Sequence, residues 1–316
     1  MLITRIFCLI ALLAALSQCT LESASSPERR ELVIASDYLQ EKDTLLFADF
    51  VRKKKIHVRI VHMDAALIYS QLRDQQANTG IDLLLLESEH DVQQLAVNDL
   101  LQAFSFEPSY AKTELKYVSA RYHYVGFGLD PFVITTPNSN GNILTYNDLT
   151  RQPFINELRS SDQITLLAPI CRKMEKGKAQ SWLYKYAEQR SSASTSLDST
   201  GHHIPTLLKR SAYLAQKDTS RQKIQSKMRI LSSGSFGSFY NLRTMCLTIQ
   251  CEHFTEAQEF IEFHLLPWRN KSLCKQIYIV PIYGAGQVFR PYKLRTEELL
   301  PYHTMVARIL DRLGIN

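Results

Sequence analysis

A chain of 316 residues, 45% hydrophobic and 22% charged, has the make-up of a folded globular protein and excludes a disordered or low-complexity one. Its length suits two domains of ordinary size, each burying its own core. The formal charge of +6 is mild and scattered along the sequence, so composition alone points to no polyanionic partner.

The N-terminus stands apart from the rest. Residues 1–5 carry one cation, Arg5, and 6–16 form an apolar run of signal-peptide length, too short to span a bilayer. A Ser-, Pro- and charge-rich segment, 22–30, follows at once. We therefore expect a signal peptide over 1–19, export, and a mature charge of about +5 once Arg5 is removed. Leu16-Ser17-Gln18-Cys19 resembles a bacterial lipobox, with Gln18 where a small residue is usual. Ordinary cleavage and a lipid-anchored lipoprotein both stay open. Export argues against a nucleic-acid partner, although a basic surface facing an anionic ligand is compatible with it. No later stretch reaches 18 apolar residues.

In chain order, Leu32-Val33-Ile34-Ala35 predicts a buried strand ending in Ser36-Asp37-Tyr38. A helix is expected over 44–52, and Lys53-Lys54-Lys55 at its end complements the negative pole of the helix dipole. A β-branched strand at 58–61, a helix through 65–76, an apolar strand at 81–86 ending in Glu87-Ser88, and a helix through 92–95 follow. Such alternation with continuous apolar strands predicts a parallel sheet covered on both faces, whose ligand site lies beyond the carboxyl ends of its strands. Asp37, Tyr38 and Glu87 are site candidates on that ground.

Residues 122–134 read as a strand in which Gly126 and Gly128 mark a bend or a close backbone approach. Thr145-Tyr146-Asn147-Asp148-Leu149 reads as a helix start. Strands at 164–167 and 228–231, helices at 179–189 and 205–215, and a Ser/Gly loop at 232–238 come next. A strand at 245–249, helices at 255–266 and about 297–313, and a strand at 277–280 closed by Pro281 complete the chain. The four cysteines beyond the signal, Cys171, Cys246, Cys251 and Cys274, allow disulfides in an oxidising compartment or stay as buried thiols.

Two groups offer anion chemistry. Ser233, Ser235 and Ser238, in the Ser/Gly loop, supply hydroxyls and flexible backbone N–H groups. Arg172 and Lys173, expected after a strand and at the opening of a helix, would add two cations at a positive helix end. His202-His203 falls in a polar loop and reads as exposed. No GxSxG, HExxH or P-loop pattern is present, so the chain does not read as an enzyme.

Five segments in order resemble the type II solute-binding proteins of bacterial ABC importers, in the group that holds binders of ferric iron and of phosphorylated solutes. They are 31–61, the run Ile81-Asp82 to Leu101, Thr145 to Leu149, Phe254 to Pro267, and Tyr278-Ile279-Val280-Pro281. The resemblance implies a two-lobed α/β fold with a ligand cleft. Lobe one would take 31–123 plus 245–285, lobe two 124–244, and 286–316 would pack a last helix across both. It implies a monomer that delivers a small ligand to a membrane permease, or reports it to a membrane sensor, with no resident cofactor. If the cargo were ferric iron, Tyr38, Glu87 and Tyr240 would ligate it and His123 could add a nitrogen. Phe239 stands where a second adjacent tyrosine is usual. We lean towards an organic or phosphorylated anion.

Overall fold

The computed structural model describes residues 30–74, 79–105, 117–136, 145–151, 153–191, 204–219, 227–232, 237–283, 288–292 and 296–315. The expected signal segment, the His202-His203 pair, Ser233 and Ser235 lie outside them.

The first half of the chain is a parallel βαβ arrangement. β1 (Glu31–Ser36) is followed by a 3₁₀ turn over Glu41–Phe47 that runs into α1 (Ala48–Lys54). One continuous helix was expected there, but the Gln40–Asp43 capping box starts the coil earlier and as a 3₁₀ turn. α1 ends where Lys55 turns left-handed (φ 59°), with Arg52, Lys53 and Lys54 in its last turn. β2 (His57–His62), α2 (Ala65–Arg73), β3 (Leu83–Leu86), α3 (Glu89–Val97) and β4 (Leu101–Gln102) follow.

β5 (Tyr124–Thr136) then crosses the molecule, and after a 3₁₀ turn at Tyr146–Thr150 come β6 (Phe154–Asn156), α4 (Ser160–Lys173), α5 (Lys176–Gln189) and β7 (Arg190–Ser191). The chain continues through β8 (Thr206–Lys209), α6 (Arg210–Thr219), β9 (Lys227–Ile230) and β10 (Tyr240–Thr248). It closes with α7 (Phe254–Leu265), α8 (Pro267–Gln276), β11 (Val280–Pro281) and α9 (Thr296–Arg312).

The strands line up as β2-β1-β3-β10-β5-β8-β6-β7. β1 is parallel to β2 and β3, and β6 is parallel to β7 and β8. β5 and β10, antiparallel to each other, join these two parallel groups. β5 pairs with β10 from Tyr124 to Pro131, and with β8 and β9 from Phe132 to Thr136. Their ladder is broken by a register shift between Arg243 and Thr244, opposite the Gly126–Gly128 stretch. Both glycines serve close approach: a Cβ at Gly126 would collide with Leu242, and one at Gly128 with Ile279. α9 packs against α4 and α3, which hang from different groups of strands.

Three expected elements are corrected. Residues 164–167 are not a strand but the middle of α4, which is buried all round from Asp162 to Cys171 and so shows no helical alternation. The segment at 205–215 splits into strand β8 and helix α6. The strand expected at 277–280 shrinks to Val280–Pro281, because α8 runs on through Gln276. Cys171, Cys246, Cys251 and Cys274 are free thiols, so of the two outcomes left open for them no disulfide is formed.

Candidate functional site

Where β1 and β3 end, their backbones deliver Asp37 and Glu87 side by side, and Asp37 Oδ1 accepts the Glu87 N–H at 2.9 Å. Three other elements bring cations to this pair. Arg159, just before α4, donates from Nη2 to Glu87 (2.6 Å) and from Nη1 to Asp37 (3.1 Å). Lys209, the last residue of β8, reaches Glu87 at 2.6 Å and Asp162 of α4 at 2.9 Å. Arg243 of β10 reaches Glu87 at 2.5 Å and Asp130 of β5 at 2.8 Å. Asp130 also accepts the Ser211 hydroxyl (2.5 Å) and backbone N–H (3.0 Å) from the start of α6. Asn241 ties Asp162 to the first turn of α3, donating to the carboxylate at 2.5 Å and accepting the Glu89 N–H at 3.3 Å.

Apart from Arg159, every charged member of this network is buried. Burial of so many ions is costly, and each is tolerated because its opposite lies within hydrogen-bond reach. The Glu87 carboxyl shows the balance: burial pushes its pKa up, but Arg243, Lys209 and Arg159 together hold it down at about 2. The Arg243 guanidinium lies 4.4 Å from the centre of the Tyr38 ring. It is only 3% exposed, yet its Nε and Nη1 have no hydrogen-bond partner. Beside the network, half-buried Asp91 of α3 lines a cavity of about 300 Å³ with Ala65, Ala66, Tyr69 and Leu86. Burial and the Asp37 charge raise the Asp91 carboxyl to about 7.

Of the residues expected at the site, the fold brings Asp37, Tyr38 and Glu87 together. The others are elsewhere. His123 precedes β5 and lines a separate cavity of about 380 Å³ with Ser119, Arg121, Gln93 and Leu300. Arg172 and Lys173 do not open a helix. They close α4, at its carbonyl end, about 20 Å along the axis from Arg159. There they lie over the rings of Tyr302 (5.9 Å) and Tyr146 (5.6 Å). Ser238 is fixed through its backbone, its N–H donating to the Arg290 carbonyl at 2.6 Å and its carbonyl accepting from Tyr292 at 3.2 Å. Tyr240 is buried in the core and stacked on Tyr292 with ring centres 4.6 Å apart, and Phe239 is buried beside it. Of the residues the resemblance implies for ferric iron, Glu87 is paired with two guanidinium groups and an ammonium, Tyr38 lies against the Arg243 guanidinium, and Tyr240 is stacked on Tyr292. Among the described residues no group of three or more His, Cys, Asp or Glu side chains is arranged to hold a metal ion.

The sequence reading missed Arg159, Asp162, Lys209, Asp130 and Arg243. Lys209 had a usable signal: it follows the apolar Leu207-Leu208 as Glu87 follows Leu83 to Leu86, and the same end-of-strand rule applies to both. Arg243 had none, since a charge inside a buried strand is explained only by partners distant in sequence.

No helix among the described residues is long and apolar enough to cross a membrane. No protein-family model and no curated protein sequence matches this chain. Solved structures do match it. The ferric binding protein from Campylobacter jejuni superposes with a TM-score of 0.76 at 16% identity, over 90% of this chain and 99% of that one. A Trichodesmium protein solved with iron and citrate ligands gives 0.76 at 16% identity, over 90% and 100%. Iron-bound HitA from Pseudomonas aeruginosa gives 0.72 at 16% identity, over 90% and 99%. Over nine tenths of its length this chain has the fold of these proteins, the mixed α/β architecture of the type II periplasmic binding proteins.

Proposed function

We propose that the chain is an extracytoplasmic solute-binding protein that captures a small organic anion, a carboxylate or a phosphate ester, and hands it to a membrane importer. Its lobes would be built on the two groups of strands, roughly 31–123 plus 245–285 and 124–244. They would be joined through β5 and β10, with α9 lying across both. The shared fold supports the clamp, and hinge closure around a ligand is how such a clamp works.

Arg243 carries the choice of ligand. A buried guanidinium with two unpartnered nitrogens, at the point where both groups of strands meet, is a ready donor for an acidic group. Arg159 and Lys209 flank the same carboxylate, Glu87, and can exchange it for a ligand when the lobes move. Iron is the weaker reading because the phenols it would need are buried in the core or covered by Arg243.

Calorimetry with citrate, 3-phosphoglycerate, glucose 6-phosphate and ferric citrate tests this. We expect binding of at least one iron-free anion, weakened by about 1–3 kcal/mol in Arg243→Lys with the fold intact by circular dichroism. Binding of ferric citrate alone, with a red-orange colour lost in Tyr38→Phe, would reject the anion reading.

A further inference from the structure

We propose that the flank formed by α1, α7 and α8 docks on an anionic lipid surface. Trp268, at the start of α8, is 56% exposed, the most exposed aromatic side chain among the described residues. It is held between cations, with Arg269 Cζ 3.8 Å and Lys53 Nζ 5.3 Å from its ring centre. α8 buries Asn270, Leu273 and Cys274 and turns Trp268, Lys271 and Lys275 outward, a stripe at helical spacing. Lys53 and Lys55 at the end of α1 extend the same basic area.

The nearby acids are largely used up. Asp49 is paired with Arg52 (2.6 Å) and with Arg269, and Glu259 with Lys54 (2.9 Å). The Glu262 carboxylate accepts from the neutral Gln258 amide at 2.9 Å and keeps its charge, one anion against four lysines unpaired among the described residues. No carboxylate pairs with Lys53, Lys55, Lys271 or Lys275 among the described residues. Helix-end complementarity explains the cations that finish α1 and Lys275 in the last turn of α8, but neither Lys271 nor the exposed indole. An exposed indole between Arg269 and Lys53, with further exposed lysines on the same helix, is the composition of a membrane-interface anchor. The cations are spread over two helices and line no single groove, which suits a fluid anionic surface better than a shaped acidic partner. Lys53 to Lys55 lie at the end of the parallel sheet where β2 begins, opposite the end where β1 and β3 deliver Asp37 and Glu87. Docking there leaves the cleft uncovered.

Co-sedimentation of the full chain with phosphatidylcholine vesicles, with and without an equal part of phosphatidylglycerol, tests the proposal. Any anchoring through the apolar N-terminal run is common to both vesicles and to all variants. We expect preference for the anionic vesicles, loss of that preference near 0.5 M salt (a Debye length of about 4 Å), and a blue shift of indole emission. Trp268→Phe, which keeps the buried Trp182, should abolish the shift. At about fivefold per lysine, Lys271→Glu with Lys275→Glu should weaken anionic-vesicle binding by at least about 25-fold. Equal binding to both vesicle types, or an unaffected double variant, overturns the proposal. Retention on immobilised poly-glutamate without preference for anionic vesicles overturns it in favour of an acidic protein partner.

Discussion

The two ends of α4 carry similar residues in opposite settings. At its start, Arg159 and Asp162 join a buried network that reaches β1, β3, β8 and β10. At its finish, Arg172 and Lys173 are exposed and rest over tyrosine rings. The adjacent pair is the conspicuous one in sequence, but the isolated residues are the ones the fold converges on Glu87. A cation gains functional weight from the partners that tertiary structure supplies, not from a neighbour of like charge.

The largest effect should come from breaking the network at its centre. Glu87→Ala removes the carboxylate that Arg159, Lys209 and Arg243 share, leaving three cations with the aspartates Asp37, Asp162 and Asp130, and we expect a loss of about 3–5 kcal/mol in urea unfolding. A loss below about 1 kcal/mol would mean that the buried end of α4 is no more costly to disturb than the exposed one.

Acid should expose the same difference. Glu87 titrates at about 2 in the folded protein against an ordinary 4.5, so its stabilisation is complete above pH 4.5 and is lost as pH falls towards 2. The linked loss is about 3 kcal/mol, and Glu87→Gln should flatten that part of the pH–stability curve. An unchanged curve would remove Glu87 as its cause.

Asp91 should behave in the opposite sense. With its carboxyl raised from 3.8 to about 7, the folded protein favours the protonated form, so this group costs stability as pH rises from 4 through 7. Asp91→Asn should be more stable than the wild type at pH 8, on the order of 2 kcal/mol after discounting for partial exposure, and equal to it near pH 4. The smallest effect belongs to the far end of α4. Arg172→Ala should change stability by less than about 1 kcal/mol, within the range of an exposed cation–ring contact.

The βαβ half of the fold was legible because β1 and β3 are continuous apolar runs, and α7, later in the chain, because it keeps an amphipathic pattern. Asp37, Tyr38 and Glu87 followed from the end-of-strand rule. The second half was harder. α4 is buried on every side, so its apolar run at 164–167 looks the same as a strand, and the error turned its closing cations into opening ones. β8 is four residues long and runs straight into α6, which hid Lys209 inside a helical reading. Asp130 and Arg243 are charges within buried strands, and only their pairing across 113 residues makes sense of them.

If Arg243 receives the acidic group of the proposed ligand, its side-chain Nε–H resonance in a ¹⁵N NMR spectrum, assigned by its absence in Arg243→Lys, reports the event. This resonance should shift at saturation with whichever iron-free anion binds by calorimetry, while the Arg172 resonance stays in place. An anion that saturates the protein without moving the Arg243 signal, or that moves Arg172 instead, would contradict that role for Arg243.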